Sequence, residues 1–99
     1  LPIVMEYNMP AAVDKYGQIA EAMGVNIAGM DKQSAAQAAV EAVKKLSLDL
    51  KIPKRLSERG IPEDAPETFS QEAFVDDWTG GNPREFTPPY IFELYKKAY

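Results

Sequence analysis

The chain has 99 residues, 45% of them hydrophobic and 26% charged, which is the make-up of a small globular domain rather than a disordered segment. Its net charge of −4 argues against nucleic acid or an anionic membrane as the main partner. With no cysteine and no histidine, disulfide scaffolds, thiol nucleophiles, Ser–His and Cys–His catalysis and nearly every transition-metal site are excluded.

Leu1-Pro2-Ile3-Val4-Met5 is apolar but too short for a signal peptide, and no basic region precedes it. Leucine in place of an initiating methionine leads us to expect a processed chain or a piece of a longer one. No apolar run reaches the roughly 18 residues of a membrane helix. The opening run is expected to stop near Asn8, because Pro10 disfavours a helical Met9. Ala11 to Met23 then places Val13, Tyr16, Ile19, Ala20 and Met23 on one helical face, and Gly24 stands where a left-handed cap belongs.

Asp31 is placed to cap the next helix, which runs to about Leu50 with Ala36, Ala39, Val40, Val43, Leu46 and Leu50 as its apolar stripe. The alanines favour the helix and let a neighbour come close. Ile52-Pro53 ends it, and the cluster Lys44, Lys45, Lys51, Lys54 and Arg55 reads as solvated surface. Lys54 to Arg59 suits one or two turns closed by Gly60. Pro66 fits the first turn of a helix reaching toward Asp77, with Phe69, Ala73 and Phe74 facing inward. Glu63 and Asp64 before it would complement the helix dipole. Thr87 caps a last helix that begins at Pro88 and buries Ile91, Leu94, Tyr95 and Ala98. No segment alternates cleanly over strand length. The expected fold is therefore all-α, a bundle of about five helices.

Few side chains carry chemistry. Ser34, Ser47, Ser57 and Ser70 have no base to activate them. Asp76 and Asp77 point in different directions if helical, so they suit solvent better than one shared metal ion. The segment Thr79-Gly80-Gly81-Asn82-Pro83-Arg84 stands out. Its glycines allow positive φ and close backbone approach, its asparagine is held extended before proline, and its arginine supplies a fixed charge. It lacks the P-loop pattern and no helix follows directly, so it is a weak phosphate cradle. Spacing leaves two readings open, an interhelical loop or a loop lining a cleft. Trp78, the only tryptophan, is either an anchor for that loop or a side chain reaching into a channel.

Several segments, taken in order, resemble group III iron-containing alcohol dehydrogenases. Leu1-Pro2-Ile3-Val4-Met5-Glu6-Tyr7-Asn8 resembles that family's LPHVMEFN, with Ile3 at a histidine that is not an iron ligand. The stretch from Lys15 to Gly24 resembles KYARIAEALG, that from Ala35 to Val43 resembles AAEAAVEAI, and Leu50-Lys51-Ile52-Pro53 resembles LGIP. Asp77 to Arg84 resembles ACTGGNPR, and Ile91 to Tyr99 resembles the closing IIALYKKAY.

The resemblance implies an oxidoreductase in which an N-terminal domain binds NAD(P)(H) and a C-terminal helical domain binds iron(II). A hydride passes between cofactor and an alcohol or aldehyde, and the metal polarises the substrate oxygen. It further implies that residues 1–99 are the C-terminal segment of that helical domain, a dehydroquinate synthase-like fold that is incomplete here. The iron ligands, one aspartate and three histidines, belong to motifs upstream of Leu1, as does the nucleotide-binding glycine motif. No metal ligand, catalytic residue or bound cofactor is then expected in this chain, and alone it is expected to be inactive. What the resemblance carries over is a loop lining the cleft: Trp78, Thr79, Gly80, Gly81, Asn82, Pro83 and Arg84. Trp78 stands where many members have cysteine, which puts ordinary substrate access in doubt.

The expected partners are the missing N-terminal part of the same enzyme and further copies of it, because an apolar Leu1–Met5 end calls for cover. The expected setting is cytoplasmic, without membrane or nucleic acid. Two other readings remain: a non-catalytic helical interaction module, and the end of a bifunctional aldehyde–alcohol dehydrogenase.

Overall fold

The computed structural model describes residues 1–76 and 79–99. It is all-α: five α-helices and three short 3-10 turns occur among the described residues, and no strand. The chain divides into two compact units, Leu1–Ile52 and Pro53–Tyr99. The sequence marks that boundary only as a helix end, at Ile52-Pro53.

The first unit holds α1 (Pro2–Asn8), α2 (Val13–Ala22) and α3 (Lys32–Asp49). Between α1 and α2 lies a 3-10 turn, Met9–Ala11. Helix α1 ends at Asn8 as expected, but Met9 does not leave the helical region. It is helical at φ −50° and ψ −45° despite the following proline. Pro10 occupies the first turn of the 3-10 segment, where its missing N–H is not needed, and Met9 packs against the core.

The core is built from Met5, Tyr16, Ala20, Ala36, Ala39 and Val40. Ala20, Ala36, Ala39 and Val40 are fully buried. Small side chains bring α2 and α3 together: a Cβ at Gly17 would lie 3.7 Å from the Cβ of Ala35. Burial raises the pKa of the Tyr16 phenol above its ordinary value. From α3, Lys44 donates to Glu6 on α1 at 2.7 Å and lies 3.4 Å from Glu41. The hydrogen bond to Glu6 raises the lysine's pKa. Both members of the Glu6–Lys44 pair are 40% exposed, so the bridge orients the helices more than it stabilises them. Lys45 pairs with Asp49 at 2.8 Å, and Lys51, Lys54 and Arg55 are exposed.

The apolar stripe of α3 is shorter than its periodicity suggests. Leu46 and Leu50 are 48% and 63% exposed. The cause is length. At about 1.5 Å per residue, the 18 residues of α3 outrun the 10 of α2. Leu46 instead lines an open apolar groove with Met23, Val25, Ala38 and Ala42.

Asp31 caps α3 as expected, accepting the Ser34 N–H at 2.7 Å, and that bond lowers the pKa of its carboxyl. Both helix ends are closed by one backbone motif. At α2, Val25 N–H donates to Ala20 C=O and Gly24 N–H to Glu21 C=O, each at 3.0 Å. Gly24 takes φ +89°, the left-handed cap of a Schellman motif. At α3, Ile52 N–H donates to Ser47 C=O and Lys51 N–H to Leu48 C=O, again at 3.0 Å. The left-handed position is Lys51, at φ +57°. A side chain there strains the backbone. Lys51→Gly is therefore expected to raise stability by about 0.5–1 kcal/mol, after the extra freedom of glycine in the unfolded chain is set against it. A denaturant titration measures this, and a lower midpoint for the variant would show that the Lys51 side chain outweighs its strain.

The second unit holds a 3-10 turn at Leu56–Arg59, closed by left-handed Gly60, then α4 (Ala65–Phe74), a 3-10 turn at Thr79–Gly81 and α5 (Pro88–Ala98). Helices α4 and α5 pack together, with the Phe69 and Tyr95 rings edge to face at 5.8 Å. Ile91 is buried, and Leu94, Tyr95 and Ala98 are half-buried. Ser57 donates to the Tyr99 carbonyl at 2.8 Å.

Not every expectation holds here. Helix α4 ends at Phe74, short of Asp77, and Phe74 is 47% exposed. Asp64 stands at the N-cap of α4, where its charge suits the helix dipole as expected; its backbone is helical at φ −84° and ψ −9°, and its side chain makes no capping hydrogen bond. Thr87 is extended at φ −121° and ψ 157°, yet its hydroxyl caps nothing. Pro89 at the second position of α5 removes one of the two donors open to a capping oxygen, and Thr87 serves through its carbonyl, which accepts from Ile91 N–H at 3.0 Å.

Candidate functional site

The loop singled out by the sequence joins α4 to α5. Trp78 and Asp77 lie outside the described residues. From Thr79 onward the loop is held by its own side chains. The Thr79 hydroxyl donates to the Ala73 carbonyl in the last turn of α4, one of the carbonyls a helix end leaves without an intrahelical donor. Thr79 N–H donates to Asp76 C=O at 3.2 Å, and Asn82 N–H to Thr79 C=O at 3.2 Å, forming the 3-10 turn. The Asn82 side-chain amide donates to the Arg84 carbonyl. The Arg84 guanidinium lies 5.7 Å from the centre of the Tyr90 ring on α5, within range of a cation–π contact.

Thr79, Asn82 and Arg84 are half-buried, whereas Gly80, Gly81 and Pro83 are exposed. The glycines do not use the conformational freedom expected of them, since neither takes a positive φ. A Cβ on either would meet no described atom within 4 Å, so no described atom makes the close approach expected of them. The fastening through Thr79 and the stacking of Arg84 on Tyr90 escape the sequence, because both depend on how the loop returns between α4 and α5. The pairing of a threonine with a carbonyl six residues back has no sequence signature.

Among the described residues, no three His, Cys, Asp or Glu side chains converge where an ion could bind. Asp76 is exposed. The glycine pair is followed by loop, and the next α-helix begins only at Pro88, so no helix N-terminus stands behind it to receive a phosphate. Among the described residues no helix is long and apolar enough to cross a membrane.

A model described as "Fe-containing alcohol dehydrogenase family, C-terminal" matches residues 1–99, and the chain belongs to that family. It is similar to lactaldehyde reductase of Escherichia coli (strain K12), with 44% identity over 99 residues, which is 100% of this chain and 26% of that protein. It is 34% identical to 1,3-propanediol dehydrogenase of Klebsiella pneumoniae, with the same coverage. Among solved structures, that of a 1,3-propanediol oxidoreductase superposes with TM-score 0.97 at 34% identity, covering 100% of this chain and 26% of the other. An alcohol dehydrogenase from Oenococcus oeni superposes with TM-score 0.94 at 30% identity and the same coverage. The chain thus spans about a quarter of the length of these relatives.

Proposed function

We propose that residues 1–99 are the C-terminal segment of the helical domain of an iron-dependent alcohol dehydrogenase, which interconverts small alcohols and aldehydes with NAD(P)(H). The observation that carries this is the match of the family model across the whole chain. The names of the relatives, lactaldehyde reductase and 1,3-propanediol dehydrogenase, support a short alcohol as substrate.

In this reading the segment supplies a helical wall and one cleft-lining loop, Trp78 to Arg84. The iron ligands and the nucleotide-binding domain are supplied from upstream. The absence of histidine supports that division, because the three histidine ligands implied by the resemblance cannot come from these residues. The partner is the upstream part of the same enzyme, itself assembled from several copies. Leu1 and Val4, which are 82% and 38% exposed, give such a partner an apolar surface to cover.

The test compares two polypeptides with iron(II), NAD(H) and short alcohols. The 99-residue chain is expected to show no hydride transfer by the absorbance of reduced nicotinamide, and the intact enzyme to turn over. Turnover by the 99 residues alone would place the chemistry inside them and overturn the division.

A further inference from the structure

We draw no further inference here: the strongest candidate, the open apolar groove that Met23, Val25, Ala38, Ala42 and Leu46 line between the end of α2 and the flank of α3, carries nothing because nothing in the structure shows what covers it.

Discussion

Replacing Ala39 by leucine is expected to lower the thermal midpoint of the protein by roughly 5–20 °C, from overpacking that costs about 1–3 kcal/mol or more. Ala39 is fully buried, with Ala20 and Ala36, in the core that α2 and α3 share. The close approach at Gly17 and Ala35 shows that the helices are already in contact where their side chains are smallest. A branched side chain at Ala39 has no space to enter, so it forces the helices apart or leaves its rotamer minimum. Leu46→Ala is the matched comparison. Leu46 belongs to the same periodic stripe but is 48% exposed, so removing its side chain should cost under about 1 kcal/mol, well below the range for a fully buried leucine. Equal losses from the two variants would mean that the core extends to the end of α3.

That comparison also marks where periodicity stops being informative. A 3.6-residue pattern identifies the apolar face of a helix, and it did so for Ala36, Ala39 and Val40. It carries nothing about how far the neighbouring helix reaches, so Leu46 and Leu50 were indistinguishable from core until the length of α2 was known. Caps show the same division. Gly24 and Asp31 have the residue types their positions demand and were legible at once. The equivalent end of α3 was not, because the left-handed position holds Lys51, a residue with no such preference. The family stretch that this part resembles, LGIP, has glycine there. Proline marks a helix start at Pro66 and Pro88 and the end of α1 at Asn8, but the local preference against a helical Met9 is outweighed by that residue's packing against the core. At the loop, residue types pointed to Thr79–Arg84, but the bonds that hold it connect positions whose spacing encodes nothing.

Those bonds lead to the second large effect. Thr79→Val keeps the shape of the side chain and removes the hydroxyl that fastens the loop to Ala73. The stability of the chain should change little, by about 0.5–1.5 kcal/mol, the worth of a single hydrogen bond. The Ala73 carbonyl is not orphaned, since Asp76 N–H still donates to it at 3.2 Å. Catalysis should respond far more if the loop lines the cleft. A displacement of about 1 Å in a group that positions substrate is enough for a loss near 100-fold, so kcat/KM of the intact enzyme is expected to fall by about one to two orders of magnitude. Thr79→Ser restores the donor and is expected to recover most of that loss. The two measurements separate the two roles of the loop: a connector loses stability and activity in proportion, whereas a positioning loop loses activity while the fold holds. Wild-type kcat/KM in Thr79→Val would therefore remove the loop from the cleft, whatever its stability.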